Sequence, residues 1–267
     1  MHSKTGAAAL GSMSGRARIH NFGAGPAVLP LSVVEECRDA LPNLSQSGFG
    51  LLEVSHRSPT FQNVVDSAMA RVRRTLSVPE DYTVLFLQGG ASLQFYMTAL
   101  NLLRPGEQAD YLVTGGWSQK ALKEAKRVGD AQAIWDDSVN GFRSVPQVGE
   151  YAVRDDAVYL HYTSNNTLYG TQFHHLPDSE GKLLLLDASS DIAGVPCDIA
   201  AHDLIYAGAQ KNLGPSGVTL VILSPRALSR VGDDLPTMLD YNVHASKGSL
   251  FNTPNTFGIF VLDRVFN

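Results

Sequence analysis

One lysine in the sequence stands in surroundings that lysines rarely occupy. Lys211 lies in a loop of small and uncharged residues, and an apolar, strand-like segment flanks this loop on each side. Lysines usually decorate solvated faces, whereas an amine held in a desolvated loop has a lowered pKa and becomes a nucleophile. Such an amine forms a Schiff base with an aldehyde. Lys211 is therefore the first candidate catalytic residue.

An acidic residue ends the apolar segment that precedes this loop in the chain. Four consecutive leucines, residues 183–186, are followed directly by Asp187. A buried carboxylate is costly without a partner, and a cation or a protonated ring nitrogen would satisfy it. The alternative is that Asp187 only caps the turn that follows the strand.

Two further segments carry groups suited to a flat, phosphorylated ligand. Residues 88–92, Gln-Gly-Gly-Ala-Ser, open a predicted helix directly after a predicted strand, and helix N-termini bind anions. Turn geometry alone explains these glycines equally well. Trp117 follows the next strand, where its ring either stacks on a ligand or packs in the core. Together with Lys211 and Asp187, these groups indicate pyridoxal phosphate, with Asp187 keeping the ring nitrogen protonated.

Alternating helix and strand patterns must position these residues. Ser58 and Pro59 form an N-cap and first-turn pair, and the apolar spacing that follows predicts a helix to about residue 77. The next helix, after residue 92, is expected to bury Leu93, Tyr96, Met97, Leu100 and Leu103. Strands are predicted at residues 82–87, 110–114, 131–135, 157–162, 182–186, 204–207 and 219–223.

The order and composition of these elements indicate an α/β fold. Several strands are apolar throughout, which is typical of a sheet covered by helices on both faces, so we expect a mostly parallel, mixed sheet. In such sheets ligands bind at the carboxyl ends of the strands, where the candidate residues lie. Residues 20–267 are predicted to form one cofactor-binding domain, and residues 1–19, rich in Gly, Ala and Ser, a flexible tail.

Composition excludes several classes of protein. The 267 residues are 44% hydrophobic and 18% charged, which excludes a disordered chain or a coiled coil. The net charge of −5 argues against a general nucleic-acid-binding surface, and no apolar run approaches membrane-spanning length. Cys37 and Cys197 match no metal or redox spacing, and the adjacent His174 and His175 would point apart on a strand. No metal site is expected.

Short motifs, in their order along the chain, carry a resemblance to a known family. They are residues 21–26 (Asn-Phe-Gly-Ala-Gly-Pro), 55–57 (Ser-His-Arg), 88–92, 116–117, 165–167, Asp187, 209–215 (Ala-Gln-Lys-Asn-Leu-Gly-Pro) and 251–254 (Phe-Asn-Thr-Pro). From about Asn21 to its last residue, the chain resembles the phosphoserine aminotransferase family of class V pyridoxal phosphate enzymes. The resemblance implies the large domain of fold type I.

The resemblance also implies roles for individual residues. Lys211 would bind the cofactor covalently and then move the proton between Cα and C4′, Asp187 would pair with the pyridinium nitrogen, and Trp117 would stack on the ring. Further cofactor contacts are implied for Thr167, Ala91, Ser92 and Gln210. Asn252 and Thr253 would reach the cofactor phosphate of a neighbouring subunit, and His56 and Arg57 would bind substrate carboxylate or phosphate.

The implied reaction transfers the amino group of L-glutamate to 3-phosphohydroxypyruvate, giving O-phospho-L-serine and 2-oxoglutarate in serine biosynthesis. In many bacteria such an enzyme also serves pyridoxine biosynthesis. We expect a cytoplasmic homodimer with shared active sites that binds neither nucleic acid nor membranes.

This sequence departs from the family pattern at two places. Some members carry arginine, a substrate-phosphate contact, where this chain has Ser92. Members also continue into a C-terminal domain that completes the substrate pocket, so the chain is expected to lack that domain and to show little turnover alone.

Two other interpretations remain open from the sequence. One is another class V enzyme, either a small-amino-acid aminotransferase or a desulfurase, for which Cys197 is the only candidate nucleophile in the later half. The other is a non-catalytic, truncated paralogue that serves as a binding subunit, although such a protein need not keep Asp187 and Lys211.

Overall fold

The structure, a computed structural model, describes residues 18–267. The flexible tail was predicted for residues 1–19, and all but the last two of these residues lie outside the described part of the chain. A seven-stranded sheet forms the centre of the described chain. The strands are β1 (Thr83–Leu87), β2 (Gln108–Val113), β3 (Asp130–Asp136), β4 (Ala157–Thr163), β5 (Asn165–Asn166), β6 (Thr171–Gln172), β7 (Leu183–Asp187), β8 (Leu204–Gly208) and β9 (Thr219–Leu223). All strands of residues 18–267 except β5 and β6, which form a separate pair, belong to the seven-stranded sheet.

Seven helices surround the sheet in this part of the chain. They are α1 (Leu31–Ala40), α2 (Pro59–Leu76), α3 (Gly90–Leu102), α4 (Gly116–Ala125), α5 (Pro225–Leu228), α6 (Tyr241–Ser246) and α7 (Thr256–Val265). None of the helices in residues 18–267 has the length and hydropathy needed to cross a bilayer.

The sheet is mixed, and one strand accounts for its mixed character. The strand order is β1-β9-β8-β7-β4-β2-β3, and β9 runs antiparallel to both of its neighbours, β1 and β8. The other pairs are parallel, so six of the seven strands point the same way. The expectation of a mostly parallel mixed sheet is confirmed. Its consequence for function is that six carboxyl ends lie along one edge.

Helices cover both faces of the sheet, which explains the uniformly apolar strands. In β7, Leu184 and Leu186 belong to one buried cluster with α1, α2 and α7. Leu183 and Leu185 point to the opposite face and pack in a second cluster with α3 and α4. Because side chains alternate along a strand, Asp187 follows Leu183 and Leu185 onto the α3 side.

Helix α2 forms as its sequence predicts. The Ser58 hydroxyl accepts a hydrogen bond from the Phe61 N–H at 3.2 Å, and Pro59 occupies the first turn, where its missing N–H is not needed. The helix ends at Ser77, whose φ of 54° is left-handed. All six apolar residues at the predicted spacing are buried: Phe61, Val64, Val65, Ala68, Val72 and Leu76.

The face that α3 buries differs from the predicted one. Leu93, Tyr96 and Leu100 are only half-buried, whereas the polar Gln94 and Asn101 are buried. These amides bind α3 to the segment around α6: Gln94 Oε1 accepts from the Tyr241 hydroxyl at 2.6 Å, and Asn101 Nδ2 donates to the Leu239 carbonyl at 2.7 Å. Met97 and Leu103 are buried as expected, so the apolar spacing located the buried stripe only in part, because buried polar residues with partners also count as core.

A short hairpin follows β4. Strands β5 and β6 pair Asn165 with Gln172 and Asn166 with Thr171. The buried Asn166 side chain donates to Thr114 Oγ1 at 2.8 Å and accepts from the Trp117 N–H at 3.3 Å. The hairpin therefore fixes the start of α4 against the end of β4.

Candidate active site

A cleft lies at the edge of the sheet where the six parallel strands end. Its lining residues come from segments that follow β1, β2, β4, β7 and β8, and the cleft holds about 510 Å³ of empty space, part of it open to solvent. It brings together residues that are up to 121 positions apart in the chain, Gly90 and Lys211 among them. The lining residues are Gly90, Ala91, Ser92, Phe95, Trp117, Thr163, Asn165, Asp187, Ser189, Ser190, Gln210 and Lys211.

Asp187 places a buried carboxylate in this cleft. The residue is 3% exposed, and its Oδ1 accepts hydrogen bonds from the Ser189 N–H at 3.0 Å and the Ser189 hydroxyl at 2.6 Å. Burial raises the pKa of Asp187 to about 6, although the Ser189 hydrogen bonds and the Lys211 charge oppose the shift. Asp187 is thus an acid poised to ionise near neutral pH, most fully when a cation enters the cleft.

Lys211 lies in the same cleft without an ionic partner. Within residues 18–267 its Nζ forms no ion pair with a carboxylate, and its hydrogen bond goes to Thr167 Oγ1 at 3.4 Å. Burial lowers the pKa of Lys211, while Asp187 and Asp191 act in the opposite direction. A larger share of the amine is therefore neutral, which is the nucleophilic form.

Trp117 and Lys211 are joined through one hydroxyl. The indole Nε1–H of Trp117 donates to Thr167 Oγ1 at 3.1 Å, and Lys211 Nζ lies 5.3 Å from the indole ring centroid. Thr167 itself is not among the residues that line the cleft. Its hydroxyl holds the side chains of Trp117 and Lys211, which both line the cleft.

Replacing Thr167 with valine is expected to release the Trp117 ring while keeping the volume of the side chain. An indole N–H donates only one hydrogen bond, so losing the bond to Thr167 should destabilise the present orientation of the Trp117 ring by about 1 kcal/mol. The measurement is the near-ultraviolet circular dichroism of Trp117, recorded in a Trp135→Phe background because the chain has two tryptophans. An unchanged Trp117 signal would contradict the assigned role of Thr167.

The N-terminus of α3 supplies a site for an anion. Gly89 and Gly90 both have positive φ, of 89° and 65°, which allows the chain to turn from β1 into the helix. The first-turn N–H groups of a helix have no partner within it, and here they belong to Gly90, Ala91 and Ser92, which all line the cleft. Gln210 lines the cleft beside Lys211.

The glycine-rich motif of residues 21–26 packs against Lys211. A Cβ on Gly25, whose φ is 148°, would lie 2.9 Å from Lys211 Cγ. The Ala27 N–H donates to the Gln210 carbonyl at 2.9 Å, which holds this segment on the lysine loop. Glycine is required here by the close approach of two chain segments far apart in sequence, so no local pattern could have revealed it.

Besides Thr167, four predicted site residues do not line the cleft. Arg57 is exposed and His56 half-buried, and both lie in the segment before α2. Asn252 and Thr253 lie beside the end of β1, where the Gln88 side chain donates to the Thr253 carbonyl at 3.1 Å. The cleft of a single chain therefore contains the predicted cofactor groups but none of the groups predicted for substrate or for a second subunit.

Other residues of the cleft were given no role from the sequence. Thr163 lies opposite Asp187 in the pairing of β4 with β7, and its buried hydroxyl has no hydrogen-bond partner in the described chain. Asn165 and Ser190 bond to each other across the cleft wall, Nδ2 to Oγ at 3.0 Å. Ser189 contacts Asp187. Only the position of Thr163 and Asn165 after a strand could have indicated them.

Comparison with known proteins identifies the family. The family model for class V aminotransferases matches residues 19–267. The phosphoserine aminotransferase of Desulfotalea psychrophila is 48% identical over 248 residues, covering 93% of this chain and 68% of that protein. The chain belongs to the class V aminotransferases, in the phosphoserine aminotransferase family.

Solved structures of the phosphoserine aminotransferase family share the fold. The enzyme from Bacillus circulans subsp. alkalophilus superposes with a TM-score of 0.90 at 43% identity, covering 93% of this chain and 69% of that chain. A phosphoserine aminotransferase from Trichomonas vaginalis, described as bound to pyridoxal phosphate, gives a TM-score of 0.87 at 35% identity over 93% and 74% of the two chains. Pyridoxal phosphate is thus the cofactor of this aminotransferase family.

Proposed function

We propose that this chain is an aminotransferase that moves the amino group of L-glutamate to 3-phosphohydroxypyruvate, giving O-phospho-L-serine and 2-oxoglutarate in serine biosynthesis. The observation that carries the proposal is the meeting of Asp187 and Lys211 in one cleft of a chain from the phosphoserine aminotransferase family. A protein that only binds a partner has no need of a buried acid and a partly neutral amine side by side.

The cleft fits pyridoxal phosphate by the chemistry of its groups. Asp187 has a buried carboxylate with one oxygen free of hydrogen bonds from residues 18–267, which suits a protonated ring nitrogen. Lys211 has an unpaired amine, which suits an aldehyde, and the α3 N-terminus suits a phosphate. A carboxylate, an amine and an anion site in one cleft are the complement of this cofactor.

When bound, pyridoxal phosphate supplies an aldehyde that reacts with amines and a pyridinium ring that accepts an electron pair from the substrate Cα. Asp187 holds the proton on the ring nitrogen, because an ionised carboxylate favours the charged form of its neighbour. Lys211 Nζ would accept the proton from the substrate Cα and return it at C4′ of the cofactor. Trp117 would stack on the ring and exclude water.

The groups that would bind substrate come from other parts of the chain. We propose that Arg57, beside His56, binds a carboxylate or the substrate phosphate, because guanidinium matches both geometries. Asn252 and Thr253 lie outside the cleft of their own chain, which suits the proposal that they contact the cofactor phosphate of a second subunit in a homodimer. At position 92 this chain has serine, which is smaller than the arginine of some family members and carries no charge to bind a substrate phosphate.

A desulfurase is disfavoured by the state and the place of Cys197. Burial raises the pKa of the Cys197 thiol to about 11, so the thiol is protonated at neutral pH and weakly nucleophilic. Cys197 also lines a different cavity, together with Tyr162 and His202 on the other face of the sheet. A persulfide-forming cysteine would need to reach the Lys211 cleft as a thiolate.

The acceptor specificity tests the proposed reaction. With glutamate as donor and added pyridoxal phosphate, 3-phosphohydroxypyruvate is expected to be turned over with a kcat/KM at least about 10-fold above that of glyoxylate or pyruvate, since a site that binds the substrate phosphate discriminates against a substrate that lacks this group. Arg57→Lys should reduce this preference because ammonium does not bind bidentately. Preference for an unphosphorylated acceptor would overturn the substrate assignment and leave the cofactor assignment standing.

A further inference from the structure

Among residues 18–267, a single neighbouring residue holds the carboxylate of Asp187. Ser189, which is 7% exposed, donates both its N–H and its hydroxyl to the same oxygen, Oδ1. The hydroxyl oxygen in turn accepts a hydrogen bond from the Gly208 N–H at 3.1 Å. A buried chain of hydrogen bonds thus runs from the end of β8 through Ser189 to the acid.

This arrangement fixes the direction of each proton and the orientation of the acid. Because the Gly208 N–H points at the Ser189 oxygen, the Ser189 proton is directed to Asp187. Both donors converge on Oδ1, and no residue among 18–267 donates to Oδ2. Since Asp187 lines the cleft, Oδ2 is the oxygen that it offers to a ligand.

We propose that Ser189 is the positioning residue for Asp187: it holds the buried carboxylate ionised and turns Oδ2 toward the cleft. The inference rests on the proposed function and deepens it, because it names the group that makes Asp187 competent to hold a proton on a bound pyridine nitrogen.

The physical reason is the balance between burial and hydrogen bonding. Burial favours the protonated acid, whereas a hydrogen bond donated to a carboxylate favours the ionised form. Charge-assisted hydrogen bonds are the strong ones, and that from Ser189 is short, at 2.6 Å. Without the Ser189 hydroxyl, the pKa of Asp187 should rise toward neutrality and the carboxyl group should be free to rotate.

The competing explanation is that Ser189 only joins β8 to the turn after β7. Removing its hydroxyl would leave the buried Gly208 N–H without a partner, and that loss alone lowers stability. If the role of Ser189 were only structural, its loss would weaken the binding of any ligand equally at all pH values. The loss of binding would then not depend on the ionisation of Asp187.

The test compares four forms of the chain for binding of pyridoxal phosphate between pH 6.5 and 8.5: wild type, Ser189→Ala, Asp187→Asn and the double variant. Binding is followed by the absorbance of the cofactor, and thermal unfolding is measured without it. Ser189→Ala is expected to bind about 10-fold more weakly at pH 6.5, and the deficit should shrink as Asp187 ionises at higher pH. The double variant should bind as Asp187→Asn does.

Ser190→Ala is the matched control. Ser190 lines the same cleft, but its hydroxyl bonds to Asn165 and not to Asp187. Any change in cofactor affinity from Ser190→Ala should therefore be the same at pH 6.5 and 8.5. If Ser189→Ala does not fold, Ser189→Cys, which has a similar shape and a weaker donor, takes its place in every comparison.

The outcomes separate this inference from the proposed function. If wild type does not bind the cofactor, the proposed function fails. If wild type binds and Asp187→Asn weakens binding, but Ser189→Ala has no effect, the positioning role is overturned and the proposed function stands. An equal loss from Ser189→Ala in the wild-type and Asp187→Asn backgrounds would likewise overturn it, because Ser189 would then not act through the acid.

Discussion

Replacing Lys211 with alanine is expected to abolish covalent attachment of pyridoxal phosphate and to lower transamination by about 10⁴-fold, because one amine serves both as nucleophile and as proton carrier. The half-buried amine forms no ion pair in the described chain, and burial lowers its pKa, so its removal relieves a desolvation cost. We therefore expect the variant to fold with undiminished thermal stability.

Borohydride reduction followed by peptide mapping measures the attachment directly. Wild type should carry the label on the peptide that contains Lys211, and Lys211→Ala should carry none. The matched control is Lys120→Ala: the Lys120 ammonium lies 4.3 Å from the Trp117 ring centroid, close to the site, but outside the lining of the cleft. Label on Lys120, or undiminished label in Lys211→Ala, would refute the assignment of Lys211.

Replacing Asp187 with asparagine is expected to act in opposite directions on cofactor binding and on stability. Loss of the charge should weaken pyridoxal phosphate binding by about 100-fold, since a protonated ring nitrogen would then have no buried anion. Without cofactor, the same change should stabilise the protein at pH 7, because it removes a carboxylate that burial disfavours.

The sign of the stability effect follows from the pKa. Burial raises the pKa of Asp187 from its ordinary value of 3.8 to about 6, so the folded protein holds a proton that the unfolded chain releases across this interval. The stability of the cofactor-free wild type therefore falls as the pH rises from about 4 to 6, by about 2 to 3 kcal/mol from this group, and Asp187→Asn should lack that fall.

Urea unfolding of the two cofactor-free proteins at pH 4.5 and pH 7 measures this difference. The gain in the free energy of unfolding from Asp187→Asn should be about a third of its full size at pH 4.5, where the acid is protonated in the fold but largely ionised in the unfolded chain, and close to its full size at pH 7. A variant less stable than wild type at pH 7 would show that the ionised carboxylate is already compensated without the cofactor.

Elements with strong local patterns were predicted from the sequence with little error. Helix α2 has a Ser-Pro start and six apolar residues at helical spacing, and the four leucines of β7 form a strand because both of their faces are covered. In these segments local preference and tertiary packing favour the same structure. Helix α3 was correctly located but its buried face only in part, because Gln94 and Asn101 enter the core through hydrogen bonds to residues about 140 positions away.

The candidate site divides in the same way. Lys211, Asp187 and the turn at residues 88–92 were found because their types and their places after strands are unusual in the sequence. Ser189 and Thr163 were given no role, and Gly25 stood only within the motif of residues 21–26, because a serine in a turn, a threonine in a strand or a glycine in a loop does not reveal its contacts until its neighbours are known. Their roles depend on contacts with Asp187 or Lys211 in the folded chain.

By itself, the sequence determined the residues able to do chemistry and the elements that carry them, because residue types, caps and apolar periods act over a few positions. Only the tertiary structure decided that β9 is reversed among six parallel strands, that Asp187 and Lys211 share one cleft while Arg57 and Asn252 lie outside it, and that Ser189 holds the acid. Such contacts join distant segments, and their energies depend on burial, which no local stretch of sequence contains.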